Sequence, residues 1–197
     1  MPRALSHPTA KMLSHLELIY APGERALART LLRALGFRVL DPQTDPIPAN
    51  LGPAAAPFLI VYVDPHSDDV FDNVLYVSEV SAPQRRFEEA LRERLAEDGE
   101  LAKLHGELRA AYADKPQRMT HLGVGFASAE EVEQACLRVA GAPELAGRVV
   151  VSPVYRPGGP GSLDDRVVQA FVYTDVVATG LLCAGQQIEL QVRVDGV

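Results

Sequence analysis

One order of secondary structure occurs twice along the chain, and this repeat constrains the fold more than any other feature. Residues 14–80 predict a strand, a helix and three further strands, from alternating apolar residues in the strands and leucines three and four apart in the helix. The same order returns over residues 120–194. Two such units indicate a duplicated βαβββ module. The sequence therefore predicts an α+β protein.

A helical pattern at residues 82–115 separates the two units. Asp98-Gly99 predicts a break into two helices, and charged residues such as Glu88 and Glu89 are typical of a solvated helix face. We therefore predict a first module at 12–80, a helical connector at 81–117 and a second module at 118–197. We expect the modules to form one curved, cup-shaped mixed sheet with helices on the outside.

Composition narrows the classes of function. Hydrophobic residues make up 47% of the chain and charged residues 23%, which is typical of a globular domain. The excess of 26 acidic over 19 basic residues argues against a nucleic-acid backbone binder, which needs clustered Lys and Arg. The apolar runs are far shorter than the ~20 residues that span a bilayer, and the N-terminal residues do not resemble a signal peptide. We therefore predict a cytoplasmic protein with neither nucleic-acid nor membrane partners.

Cys136 and Cys183 are the two cysteines of the chain. A disulfide between them is not expected in a reducing compartment. Neither has another Cys or a His within four residues to complete a metal site. We expect both to be small buried hydrophobic residues.

Each module carries a histidine near the start of its first strand and a glutamate in its last strand. These residues are His15 and Glu79 in the first module, and His121 and Glu189 in the second. If each helix packs on the leucine-bearing face of its sheet, all four side chains are expected on the opposite face. Two imidazoles and two carboxylates suit a divalent ion such as Zn, Ni, Co, Mn or Fe, with positions left open for substrate.

A structural interpretation of the same residues stands beside the metal hypothesis. In this interpretation His15 is a partly exposed strand residue, and Glu17 on the same face is its hydrogen-bond partner. Glu79 follows Ser78 near the end of a strand, where a solvated glutamate is common. The repetition of the His and Glu pair in both modules favours metal ligation over this interpretation.

Three segments resemble the vicinal oxygen chelate superfamily, which includes glyoxalase, extradiol dioxygenases, and the fosfomycin and bleomycin resistance proteins. They are Ser14-His15-Leu16-Glu17-Leu18, Thr120-His121-Leu122-Gly123-Val124 and Gly185-Gln186-Gln187-Ile188-Glu189-Leu190. The resemblance covers about residues 12–80 and 118–195. By position it implies that His15, Glu79, His121 and Glu189 hold a divalent metal, with Glu79 and Glu189 also catalytic. The closing strand of the first module departs from the Gly-x-x-Ile-Glu-Leu form.

The full ligand set implies a metal-dependent glyoxalase-type isomerase or lyase acting on a small organic substrate with adjacent oxygens. Without Glu79, the set resembles the two-His, one-carboxylate site of extradiol dioxygenases. The resemblance also allows a non-catalytic protein that sequesters a small molecule in the same cavity, or an inactive module that serves as a dimer partner. Members of this superfamily often pair, which implies a possible homodimer.

Overall fold

Eight strands form two mixed four-stranded sheets in the computed structural model of the chain. The structure describes residues 14–47, 51, 57–70, 72–162 and 165–194. Four α-helices and three short 3₁₀ turns accompany the strands within these ranges. The predicted α+β class and its two-module organisation are confirmed.

The first module has the strand order β1-β4-β3-β2. Its first and last strands run parallel and the other neighbours run antiparallel. The elements are β1 (His15–Tyr20), α1 (Arg25–Ala34), β2 (Arg38–Leu40), β3 (Leu59–Tyr62) and β4 (Val74–Glu79). Helix α1 is closed by Gly36, two residues past its end, with a φ of 98°. The N–H groups of Gly36 and Phe37 donate to carbonyls in the last turn of the helix.

The connector forms two helices, α2 (Ala82–Glu97) and α3 (Gly99–Asp114). The predicted break at Asp98 is confirmed, because its carboxylate accepts hydrogen bonds from the N–H groups of Glu100 and Leu101 and so begins α3. The expectation of a solvated position is wrong for Glu88, which is 2% exposed. Its carboxylate accepts hydrogen bonds from Gln84 Nε2 at 2.9 Å and from the Cys183 N–H at 3.0 Å.

The second module repeats the topology of the first, with the strand order β5-β8-β7-β6 and a parallel β5–β8 pair. Its elements are β5 (Leu122–Gly125), α4 (Ala129–Gly141), β6 (Val149–Val151), β7 (Val167–Thr174) and β8 (Gln186–Arg193). Helix α4 begins with a variant of the capping box: Ser128 Oγ accepts from the Glu131 N–H, and the Glu131 carboxylate accepts from the N–H of Ala127, one residue before the N-cap.

A single apolar core joins the two modules. Helices α1 and α4 contact each other, and the helix-packed faces of both sheets contribute buried residues to this core. They include Leu18, Leu31 and Val77 from the first module and Val124, Val132 and Ile188 from the second. The strands form two separate sheets instead of one continuous sheet, with an isolated bridge between Ile19 and Ala178 linking the modules.

Arg148 adds a polar link between the modules. Its guanidinium donates to both carboxylate oxygens of Glu24, at 2.8 and 3.0 Å, and to Asp175 at 2.6 Å. Glu24 precedes α1, whereas Arg148 and Asp175 belong to the second module. The hydrogen bonds that Arg148 donates to Glu24 and Asp175 raise its pKa further above its already high ordinary value.

Cys136 is buried, Cys183 is half-buried, and both are free thiols. Burial raises the pKa of each thiol, which makes both poor nucleophiles. Among the described helices, none combines the length and the apolar character needed to cross a bilayer.

Replacing Arg148 by Met tests the polar link. We expect Arg148→Met to lower the free energy of unfolding by about 1–2 kcal/mol, because two partly buried carboxylates lose a shared donor. Urea unfolding measures this. The control is Arg94→Met, since Arg94 is exposed and pairs with Glu97 at 3.5 Å; we expect it to change stability by less than about 0.5 kcal/mol. Equal losses in the two variants would contradict the assignment.

Candidate functional site

His121 and Glu189 meet on the face of the second sheet that lies opposite the core. Gly123 pairs with Glu189 in the β5–β8 ladder, and His121 lies two residues before Gly123 on the same face. Its Nε2 atom is 3.0 Å from Glu189 Oε2. The structure therefore brings together the two site residues predicted in the second module.

The two ring nitrogens of His121 have different partners. Its Nδ1 atom is 2.7 Å from the carbonyl oxygen of Met119, which only accepts hydrogen bonds. This contact orients the ring so that Nε2 faces the Glu189 carboxylate. We call His121 and Glu189 the dyad, which lies at the edge of the open face.

Two glycines keep the sheet clear beside this dyad. A Cβ at Gly123 would lie 3.5 Å from Glu189 Oε2, and one at Gly125 would meet nothing within 4 Å. A larger side chain at Gly123 would crowd the carboxylate. The β5 strand thus leaves the dyad open to a ligand.

A cleft of about 370 Å³ lies on the same sheet face, which we call the aromatic cleft. Tyr173 and Gln187 are directly paired in the β7–β8 ladder and form part of its floor, and Phe171 lies beside them. The last turns of α3 and the β6 strand supply its other walls. The lining residues are Arg109, Ala110, Tyr112, Ala113, Val150, Val151, Ser152, Pro153, Phe171, Tyr173 and Gln187.

Phe171 joins the aromatic cleft to the dyad. It pairs with Glu189 across the β7–β8 ladder, and its ring centroid is 5.7 Å from that of His121 in an edge-on arrangement. Because Gln187 lies two residues before Glu189 on β8, the cleft floor and the carboxylate are about 7 Å apart along the strand. A ligand in the cleft would therefore lie beside the dyad.

Gln187 is fully buried and only partly satisfied. Its Nε2 atom donates to the carbonyl of Pro116 at 2.7 Å, whereas its Oε1 atom has no hydrogen-bond partner among the described residues. A buried acceptor without a donor costs about 1–3 kcal/mol.

The position of Tyr173 depends on the chain segment that precedes β8. Its hydroxyl donates to the Ala184 carbonyl at 3.0 Å, and its ring lies 4.8 Å from the ring of Tyr112. Burial raises the pKa of Tyr173, so the hydroxyl stays protonated and able to donate at neutral pH. Gly185, with a φ of 74°, lies against this ring.

The corresponding face of the first module is filled by its own side chains. His15 pairs with Val74, so Tyr76 occupies the register position that Glu189 has in the second module. Tyr76 donates to the Val70 carbonyl, and its ring lies 5.4 Å from that of the exposed His15. Val70, Val74, Ile60 and Tyr62 form a small apolar cluster there. His15 thus has an aromatic neighbour where His121 has a carboxylate.

Glu79 lies at the opposite end of the first sheet from His15. It pairs with Tyr20, five residues from His15, which is roughly 17 Å along the strand. Its ladder partner Tyr20 belongs to the core face, and the Gly23 N–H donates to the Glu79 carboxylate at 3.4 Å. The expectation that all four predicted site residues share one face does not hold for Glu79, because alternation along β4 turns it toward the helix side.

The described residues contain no group of three or more His, Cys, Asp or Glu side chains placed to hold a metal ion. A catalytic zinc site normally has three protein ligands. His121 and Glu189 would supply two and therefore fit as part of a ligand set. The divalent metal stays a prediction from the sequence.

The residues that line the aromatic cleft were not among those predicted from the sequence. Tyr112 and Arg109 belong to α3, which the helical pattern assigned to a connector. Phe171 and Tyr173 are two residues apart on β7, so the strand pattern places them on one face of the strand. Their partner strand and the helix above them follow from the tertiary fold, which no local pattern reveals.

Comparisons with known proteins assign no family. No family model and no curated protein matches the chain. A solved structure of the hypothetical protein SA1046 from S. aureus aligns over 94% of this chain and 99% of its own, with 12% identity and a TM-score of 0.40. The site is therefore interpreted from its own geometry.

A glycine substitution tests how Tyr173 is positioned. An alanine Cβ at Gly185 would lie 2.7 Å from Tyr173 Cε2, at a backbone φ that disfavours side chains. We expect Gly185→Ala to lower the free energy of unfolding by about 2–3 kcal/mol and to change the near-ultraviolet tyrosine signal. The control is Gly180→Ala, where a Cβ meets nothing within 4 Å. A Gly185→Ala protein as stable as this control would show that Tyr173 is free to move.

Proposed function

We propose that this protein binds a small organic molecule in the aromatic cleft of the second module. The supporting observation is the cleft itself, of about 370 Å³, with Tyr112, Phe171 and Tyr173 on its walls and Gln187 among its lining residues. Small-molecule sites in proteins are mostly apolar clefts of about 300–1,000 Å³ with a few placed polar groups. The cleft has this composition and size.

The dyad gives the bound molecule a group with which to exchange a proton. His121 Nε2 and Glu189 Oε2 lie 3.0 Å apart, and the His121 ring lies next to Phe171. An imidazole and carboxylate pair in this arrangement serves equally to hydrogen-bond a ligand oxygen or to act as a general acid and base. Binding is the function that both features support, with or without a chemical step.

A compound panel tests the binding proposal. We expect some small aromatic or heteroaromatic compounds to raise Tm. A ligand present at a concentration of ten times its Kd adds about 1.4 kcal/mol to the free energy of unfolding, which raises the Tm of a chain of this size by roughly 3–6 °C. The variant Tyr112→Ala should lower the affinity of such compounds at least about fivefold, because it removes one aromatic wall.

The matched control is Leu108→Ala, four residues earlier on α3, where the side chain is exposed and does not line the cleft. It should bind as the unmodified protein does. A panel in which no compound shifts Tm, or in which both variants lose affinity equally, contradicts the binding proposal.

The second candidate function is a metal-dependent isomerase, lyase or dioxygenase. The observation in its favour is the contact between His121 Nε2 and Glu189 Oε2, because these two atoms are metal ligands in many sites of this composition. Two ligands leave the set incomplete within the described residues. A second copy of the chain, as in the predicted homodimer, or the substrate would have to supply the rest.

Metal analysis separates the two candidates. If the enzyme candidate holds, protein purified without chelator or nickel resin contains about one equivalent of Zn, Ni, Co, Mn or Fe, and His121→Ala loses it. His66→Ala is the control, since His66 lies in an exposed loop of the first module. Absence of metal after reconstitution would reject the enzyme candidate and leave the binding proposal intact.

A further inference from the structure

The aromatic cleft carries a single formal charge, and it is positive. Of the described residues that line it, Arg109 is the one with an ionised side chain, and none of them is an acid. The chain as a whole carries a net charge of −7. Glu189 is not among the lining residues, and its carboxylate contacts His121 Nε2 at 3.0 Å. The lining of the cleft is therefore cationic in an acidic protein.

Arg109 differs from other arginines near the site because no described carboxylate pairs with it. Arg148 is held by Glu24 and Asp175, and Arg92 lies 3.6 Å from Glu88. The guanidinium carbon of Arg109 instead lies 5.8 Å from the ring centroid of Tyr173. Arg109 also makes a hydrogen bond with the Tyr173 side chain, which lowers the pKa of that hydroxyl against the larger rise caused by burial, and a guanidinium with five N–H donors has others left for an anion.

A second cleft of about 320 Å³ continues past Arg109 and Tyr173, which line both cavities. It adds the positive side chains of Arg92 and Arg148, together with His105. Its one acidic lining residue is Asp175, which accepts from Arg148 Nε at 2.6 Å. Arg92 and Arg148 are paired with Glu88, Glu24 and Asp175, so Arg109 is the cation at the junction of the two clefts that has no carboxylate partner among the described residues.

The walls beside Arg109 favour a flat ring. Tyr112 and Tyr173 present rings 4.8 Å apart with an interplanar angle of 35°, and Phe171 lies on the same sheet face. Such surfaces stack with planar aromatic groups. The acid group of an aromatic acid would then face Arg109, which can hold a carboxylate through two parallel hydrogen bonds.

From this arrangement we infer that the ligand is a small aromatic carboxylate, with its ring against Tyr112, Phe171 and Tyr173 and its carboxylate on Arg109. The inference rests on the proposed binding function and names the ligand class for the same cleft. It predicts discrimination by charge, which an apolar cleft without Arg109 would not show.

The test compares 2-naphthoate with its neutral counterpart 2-naphthamide by calorimetry. We expect the unmodified protein to bind naphthoate about tenfold more tightly than naphthamide, the factor expected for a charge-assisted hydrogen bond. In Arg109→Gln the naphthoate affinity should fall about tenfold, whereas the naphthamide affinity should stay unchanged. Arg94→Gln is the control, because Arg94 is an exposed α2 residue outside both clefts.

The outcomes distinguish the inference from the function on which it rests. Equal affinities for the two probes, or an Arg109→Gln variant that keeps the preference for naphthoate, would overturn the inference and leave the binding function supported. Failure of both probes to bind the unmodified protein would overturn the aromatic acid class. Whether the cleft binds small molecules at all is then decided by the compound panel and Tyr112→Ala.

Discussion

The parallel pairing of the first and last strands in each module is the constraint on which the site depends. In the second module this register places Gly123 beside Glu189. Because Gly123 has no side chain, the space beside the carboxylate is clear, and His121 Nε2 contacts Glu189 Oε2 at 3.0 Å. The same alternation sends Val124 and Leu190 into the core. A shift of one residue in this pairing would bury the carboxylate among apolar side chains and expose the core residues.

The two modules share one strand order but differ in the side chains on the sheet face opposite the core. Both have a histidine at the start of the parallel pair, but the first has Tyr76 at the register position of Glu189. Its open face is occupied by Tyr62, Tyr76 and Val70, whereas the second keeps Gly123 and Gly125 there. The same strand order thus carries a filled face in the first module, which stabilises the fold, and an open face in the second.

The sequence predicts the modules because their signals are local. Strand alternation, the glycine after α1 and the capping box of α4 each depend on a few neighbouring residues, and they place the elements correctly. The same alternation also shows that Glu79 shares a face with Leu75 and Val77 and is therefore on the core side. Glu79 was matched to Glu189 because both lie in the last strand of a module, without regard to which face of the strand each is on. The strand pairing shows instead that Tyr76 is the counterpart of Glu189.

The roof of the aromatic cleft could not be predicted, because it comes from the connector. Helix α3 contains no buried residue, so neither its hydrophobic pattern nor its charge indicates which part of it contacts the sheet. Two tertiary contacts provide that information: the Tyr112–Tyr173 ring pair and the hydrogen bond from Gln187 to Pro116. Both connect residues more than sixty positions apart, and both act on side chains of the cleft. The connector that separates the modules in the chain is therefore also the element that covers the aromatic cleft of the second.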